Sequence, residues 1–598
     1  MDITVQNFES YLPKVLDDLT SCLFVSLDLE LSGIAKGQND PSKGTQTLQE
    51  RYEETRKAAD KYQVLQVGLT ICHEDTDEAL YTLKPYNIYV NPIIDRKLDL
   101  ERDFVFQSSA VEFLLQNQFR LDPLLQHGVP YVSREEEQMI LSNAFERRDR
   151  LKTHYAMDIK DTDHESLAFL ENVRRLVDDW LALGVDRDSY LNIPPPSRVG
   201  SQNSHLFPSF LNRFQKRLVH QLIDVEYPTL VTVSERSFVQ IIGYDEGREK
   251  AVQDQRMKWT RERISKQTGS RWIAEALAGG DLSNLSSSSF RAIATNCRAL
   301  GSIPDLDKFS EMMKQKLKSH RPVLVGHNIF TDLVYFCRHF FGPLPERVED
   351  FQILAHELFP TVIDTKYMAT HECGSINPTS SLIEICDSLT GISIPRTGIH
   401  HQHSKYNRRN VDHEAGYDSL LTARIFIKLS AQLRDADASK RFGKTPLTPM
   451  RGNSWRSALP ELVYDGPVPV KTATPRRRGR NKRECFSLGR ENTKASSVGH
   501  ESTENKETTT LCIQNKFDSL QVDESADRMD IDEPNPTDTN ADQIMTKVNR
   551  GELIPRFESG FWSIYGNKLR VFGTEERVCD LGQRPGNWQI SLPFGPVA

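Results

Sequence analysis

The stretch LFVSLDLELSGI, Leu23 to Ile34, decides how this chain folds. Leu23, Val25 and Leu27 alternate with Phe24, Ser26 and Asp28, and branched and aromatic residues suit a pleated surface, so it reads as a β-strand. Apolar residues on both faces make it a central strand, covered on each side. Side chains alternate along a strand, so Asp28 and Glu30 project from one face at its C-terminal end. Two carboxylates aimed together repel each other and lose hydration, a cost that a divalent cation between them offsets. Alone, D-x-E is also what an exposed acidic strand end looks like.

Two downstream segments supply matching acids. In VGHNIFTD a strand ends at Val325, Gly326 permits a tight exit, and Asp332 falls in the early turns of the next helix. In DHEAGYDSLLTARIFIKL, Asp412 to Leu429, Asp418 opens an apolar-periodic helix and His413 lies five residues before it. At ~100° per residue those two side chains would point about 140° apart on one helix. His413 therefore belongs at the helix start or on the preceding loop, where it can turn back over the acids.

The resulting order is D-x-E, then a single Asp far downstream, then H-x-x-x-x-D. It resembles the DEDD exonuclease superfamily in its histidine-using subclass. The tyrosine-using subclass is excluded, because Glu414 stands four residues before Asp418. The resemblance implies that Asp28, Glu30, Asp332 and Asp418 hold two Mg²⁺ ions, with Mn²⁺ as a substitute, since all-oxygen donor sets suit hard cations. It also implies that His413 takes the proton of the attacking water, and that each cycle releases a nucleoside 5′-monophosphate.

Composition bounds the rest. With 598 residues the chain can hold two to four domains. A net charge of -8 gives no global pull towards nucleic acid, so RNA contact must come from local basic patches. Nine cysteines without a C-x-x-C pair argue against a disulfide framework and a structural zinc site. A reducing compartment follows. The N-terminal MDITVQNFES lacks the basic and apolar regions of a signal peptide, and no run of eighteen apolar residues marks a membrane span.

Along the sequence, Phe8, Tyr11, Leu12, Val15, Leu16 and Leu19 predict an amphipathic helix, with Pro13 at its first turn or a kink. Gln63 to Ile71 and Ala79 to Val90 read as further strands, and SSAVEFLLQNQ as a helix with a serine N-cap. The expected organisation is a nuclease domain in two parts, 1–184 and 321–440, an inserted basic α/β module at 185–245 and a helical connection at 246–320. A linker at 441–550 has a disordered composition, and a short segment at 551–598 holds a hairpin, Phe561 to Phe572, turning at Gly566-Asn567. HHQH, His400 to His403, could bind metal but reads as a polar loop between apolar elements, and PRRRGRNKRE, Pro475 to Glu484, reads as a nuclear localisation signal, an RNA-attracting tail or a solvated linker.

A closer resemblance covers most of residues 1–430. N-F-x-S-x-L-x-K-V, RYEETRK, FVFQSSAVEFL, GVPYVSREEE, GHN with Asp332 four residues on, PLP, LFPTVIDTKYMA and HEAGYD occur in order and resemble the poly(A)-specific ribonuclease family. The resemblance implies an α/β, RNase H-like mixed sheet flanked by helices. It further implies a Mg²⁺-dependent 3′→5′ exoribonuclease on single-stranded RNA with a free 3′ end, often a homodimer, in nucleus and cytoplasm. Ile34, Asn328 and Lys366 would line the substrate groove, Lys366 meeting a phosphate. The insert resembles a module named for an Arg-x-x-x-His pair; here Lys216-x-x-x-His220 stands instead, with Arg213 and Arg217 alongside for phosphates.

This sequence also departs from the family. Leu31 replaces the phenylalanine of the animal deadenylases and removes an aromatic platform for a base. Their C-terminal RNA-recognition domain is not visible, so cap stimulation is not expected. Related proteins trim the 3′ ends of small-RNA precursors, which makes trimming the alternative to deadenylation. A non-catalytic RNA-binding scaffold is the rival from another class. Its signature would be a lost acidic position, and none of the four is lost.

Overall fold

The computed structural model describes residues 1–35, 45–153, 159, 162–195, 208–298, 305–371, 380–407, 413–442 and 536–582. Met1–Gly452 with Ala541–Ala598 forms one unit and Asn453–Asn540 a second. The second is described only from residue 536, where the helix Pro536–Asn549 begins. The basic run Pro475 to Glu484 lies outside the described residues.

The first unit is a mixed α/β structure. Its strands, in sequence order, are β1 (Asp2–Ile3), β2 (Phe24–Leu31), β3 (Val64–Asp75), β4 (Leu80–Asn91), β5 (Val129–Pro130), β6 (Tyr190–Ile193), β7 (Leu230–Ser234), β8 (Val239–Gly243), β9 (Val323–Gly326), β10 (Val362–Asp364), β11 (Arg396–Ile399), β12 (Lys568–Arg570) and β13 (Val578–Asp580). The main sheet runs β1-β4-β3-β2-β9-β10, with β5 and β11 also paired to β4. It is mixed: β3 is antiparallel to both β2 and β4, whereas β2, β9 and β10 are mutually parallel.

The acidic strand is central, as its two apolar faces require. Val25, Leu27 and Leu29 join a core with the helices Phe8–Leu19, Arg271–Ala278 and Phe330–Phe340. Phe24 points into a second core formed by the helix Ala415–Phe442, where its ring meets Phe426 edge-on at 4.7 Å. Each such aromatic side chain, removed from water, contributes about 1.5–3 kcal/mol. Pro13 is accommodated inside the first helix, buried, and does not end it. No helix of the described residues is long and apolar enough to cross a membrane.

The structure shifts several expected boundaries. β6, β8 and β7 form a small separate sheet under the helix Arg213–Glu226, but the same core takes Phe169, Val173, Val177 and Trp180 from the helix His164–Ala182. The small unit thus begins before residue 185. Every residue of Arg271–Ala278 is buried, so this part of the expected connection belongs to the main core. The helix at Ser108–Gln116 has Gln107 rather than a serine at its N-cap, and the Gln107 side chain does not cap the helix: its Oε1 accepts the Ile34 N–H at 2.8 Å. The predicted hairpin is displaced as well. Trp562–Tyr565 is a helical turn that buries Trp562 and Tyr565, and the antiparallel pair is β12 with β13, further along. Asn567 makes no hairpin turn, being engaged with the backbone of Val362.

Candidate active site

Asp28 and Glu30 lie at the C-terminal end of β2, opposite Gly68 and Gln66 of β3. The start of the helix Ala415–Phe442 settles on this face. Gly68 makes that approach feasible: a Cβ there would stand 1.8 Å from the Ala415 carbonyl oxygen. Buried polar groups then fix the helix start. Gln66 Oε1 accepts the Ala415 N–H, Asn87 Oδ1 accepts the Gly416 N–H at 3.1 Å, and the Ser26 hydroxyl donates to the Ser419 carbonyl at 2.7 Å. Asp418 is held in the first helical turn, over Asp28 and Glu30.

His413 stands just before that helix with φ 61°, a left-handed backbone that reverses the path of the main chain. Its neighbour Glu414 accepts from Lys405 and from the Tyr406 hydroxyl at 2.7 Å, anchoring the loop. The His413 ring lies edge-on to Phe113 at 4.6 Å. One ligand atom each from Glu30, His413 and Asp418 lie within 4.8 Å of one another.

Asp332 comes from the opposite side. β9 ends at Gly326, where Ile329 folds back so closely that a Cβ would meet it at 2.3 Å. Asn328 follows with φ 56°, and the helix Phe330–Phe340 begins, with Asp332 in its first turn. Tyr335 of this helix donates to the Gly33 carbonyl at 2.9 Å, tying it to the loop after the acidic strand.

Asp364, which sequence reading did not single out, organises this corner. It is fully buried at the end of β10, and its Oδ1 accepts the backbone N–H groups of Asn328 and Lys366, each at 2.8 Å. Its Oδ2 accepts the Arg570 N–H at 2.8 Å. The signal was present in the DTK triplet, but its partner lies more than 200 residues away.

The electrostatics of the cluster are those of crowded carboxylates. Burial pushes the Asp28 and Glu30 carboxyls well above the usual range, and the charges of Asp418 and Asp332 push them further. Asp332 is raised to about 7, chiefly by burial, against the nearby backbone N–H of Leu29, with Asp364 adding to the rise. Asp364 itself is raised to about 6 by burial, although four backbone N–H groups oppose the shift. Acids forced together without a cation are a destabilised arrangement. Their all-oxygen chemistry fits a hard divalent ion, which would relieve the repulsion.

The description CAF1 family ribonuclease matches residues 3–426. The chain belongs to the CAF1 ribonuclease family. It is a ribonuclease of that family by its family match, and PARN-like in sequence. It is similar to an uncharacterized protein of Schizosaccharomyces pombe, 27% identical over 74% of this chain and 96% of the relative. It is similar to poly(A)-specific ribonuclease PARN of Xenopus laevis, 25% identical over 72% of this chain and 63% of the relative, so it spans just under two thirds of that protein. The pre-piRNA 3′-exonuclease trimmer of Bombyx mori is 24% identical over 72% of this chain and 71% of the relative. A solved structure of S. pombe Pop2p in its Mg²⁺ and Mn²⁺ bound form aligns with a TM-score of 0.32 at 12% identity, covering 74% of this chain and 95% of that one.

In this CAF1-family protein the expected substrate-groove residues divide. Ile34 is 37% exposed beside the acidic strand, and Asn328 is exposed at the start of the Asp332 helix. Leu31 is half-buried against the core, after an irregularity in the β2–β3 register that follows Glu30. Lys366 differs from expectation. It is only 4% exposed, its ammonium donates to the Ser380 carbonyl, and burial lowers its pKa. The reason is local: Lys366 sits in the helix Thr365–Thr370, under the C-terminal segment, with its Nζ 5.6 Å from the Phe572 ring centroid.

The insert's basic helix faces a groove of about 1660 Å³ shared with the helix Glu246–Thr268. Arg213, Lys216, Arg217, Arg248, Arg256 and Arg261 line it. Lys216 has a structural duty too, donating to the carbonyls of Glu235 and Arg236 in the β7–β8 turn. His220 is tied to the Thr232 hydroxyl at 2.6 Å, and burial lowers its pKa. The HHQH stretch is more than a polar loop: His403 is 3% exposed and its Nδ1 pairs with the Pro85 carbonyl at 3.0 Å.

Proposed function

We propose that the protein shortens single-stranded RNA from the 3′ end, with poly(A) tails as the first substrate class. The observation that carries this reading is the convergence of Glu30, His413 and Asp418 within 4.8 Å, with Asp28 and Asp332 close enough for their charges to act on the same group. Asp28, Glu30, Asp332 and Asp418 would hold two Mg²⁺ ions, or Mn²⁺ in their place, and such ions supply an acidified water and charge stabilisation at the leaving oxygen.

The remaining steps belong to the protein's own groups. His413, held by its left-handed turn and by the Phe113 ring, removes the proton from the attacking water. The helix start at Ala415, pinned by Gln66 and Asn87, keeps Asp418 in place while the phosphodiester breaks. The basic groove beside the insert attracts the phosphates of the upstream strand.

Trimming of small-RNA precursors is the second reading. Leu31 favours it, since an aliphatic side chain after Glu30 offers no ring to select adenine. Labelled oligo(A) and a mixed-sequence RNA, each incubated with Mg²⁺ or EDTA, separate the readings. Deadenylation predicts Mg²⁺-dependent shortening of oligo(A) first. Equal shortening of both RNAs transfers the assignment to trimming, and none at all leaves a binding scaffold.

A further inference from the structure

The C-terminal segment carries chemistry that the mechanism above leaves unused. From Gly566 the backbone runs along the open edge of β10. Gly566 pairs with Ile363, and Asn567 exchanges two hydrogen bonds with Val362 at 2.7 and 2.8 Å. The Arg570 N–H reaches Asp364, the acid that also holds the Asn328 backbone beside Asp332. The segment then crosses to the stretch after the acidic strand: Thr574 bridges to Gln46, and Glu576 accepts the Leu48 N–H at 2.8 Å. It is therefore fastened at two places, at Asp364 beside Asp332 and at the residues that follow the acidic strand in sequence.

On this segment Phe572 is 41% exposed. Isolated exposed rings need no explanation. This one has cationic neighbours: Lys366 Nζ lies 5.6 Å and the Arg570 guanidinium 5.8 Å from its centroid. Arg570 also lies 5.3 Å from the Tyr367 ring. An exposed aromatic ring beside a guanidinium is the arrangement that accepts a stacked base together with its phosphate. Leu31 offers no such face, and the far end of the sequence carries one two residues beyond Arg570, whose N–H reaches the Asp364 that neighbours Asp332.

We infer that Phe572, with the Arg570 guanidinium beside it, forms a subsite that stacks a nucleobase near the RNA 3′ end and draws in its phosphate. The inference rests on the exoribonuclease reading, and its test separates the two. Phe572→Ala, Phe572→Trp and Phe572→Leu are compared in the full-length protein, measuring oligo(A) affinity by fluorescence anisotropy in Ca²⁺ and KM for shortening in Mg²⁺. The alanine variant weakens affinity about five- to tenfold, tryptophan retains it and leucine does not. The loss disappears on an RNA whose last four nucleotides are abasic. Unchanged affinity in the alanine variant, or full rescue by leucine, overturns the subsite. An unmutated protein that binds through Phe572 yet never shortens RNA keeps the subsite and overturns the nuclease reading.

Discussion

Gly68 sits opposite Asp28 in the sheet, and the space left by its missing side chain is filled by the Ala415 carbonyl, 1.8 Å from where a Cβ would be. One absent methyl group thus lets the third acidic element reach the first. Gly68→Ala changes no acid, yet it must push the Asp418 helix away from the sheet. The expected cost is about 1–3 kcal/mol of stability, as for other overpacked cores. RNA shortening should fall at least about tenfold, since misplacing one ligand is enough. Thermal melts and single-turnover assays check both, and a variant indistinguishable from the parent refutes the packing argument.

Crowded carboxylates make stability depend on pH and on the cation. A carboxyl whose folded pKa is raised favours the folded state at low pH and loses that advantage as pH rises from its ordinary value. For Asp332 the window runs from 3.8 to about 7. In EDTA the melting temperature should therefore fall between pH 5 and 8, and Mg²⁺ should restore it. Asp28→Asn removes one repelling charge: it should abolish turnover while melting roughly 2–4 °C higher than the parent in EDTA at pH 8. A lower melting temperature for that variant contradicts the crowding.

His413→Ala leaves the four acids in place and removes only the proposed base. The drop in kcat should be about 10²–10⁴, with KM little changed. The acid limb of the pH–rate profile should flatten too. If instead the Mg²⁺ requirement rises steeply while that limb persists, His413 serves as a ligand rather than as a base.

The insert groove makes a salt-dependent prediction. Arg213→Ala with Arg256→Ala removes two groove cations without touching Lys216, which the β7–β8 turn needs. Each lost phosphate contact should lower the log–log salt slope of RNA binding by about 0.7. An unchanged slope would place the RNA elsewhere.

The positions of the candidate acids were legible because each lies within a short segment. A strand end carries Asp28 and Glu30, and helix starts carry Asp332 and Asp418, so periodicity and spacing located all four. His413 at the helix start followed from the angular arithmetic. What could not be read depends on distant partners. Nothing near Gly68 announces Ala415, and nothing in DTK announces Arg570. Lys366 looked like a solvent-facing phosphate ligand because the segment that covers it lies some 200 residues downstream. The hairpin was misplaced for the same reason: Asn567 favours a turn in isolation, but here it meets the neglected edge of another strand.

That edge has a consequence during synthesis. β10 leaves the ribosome 205 positions before the asparagine that seals it. Until then its outer hydrogen-bonding groups stay open to any other extended polypeptide. A chain released anywhere in that interval would carry an unsealed, adhesive flank, so the segment around Asn567 doubles as a seal that only a longer chain can provide.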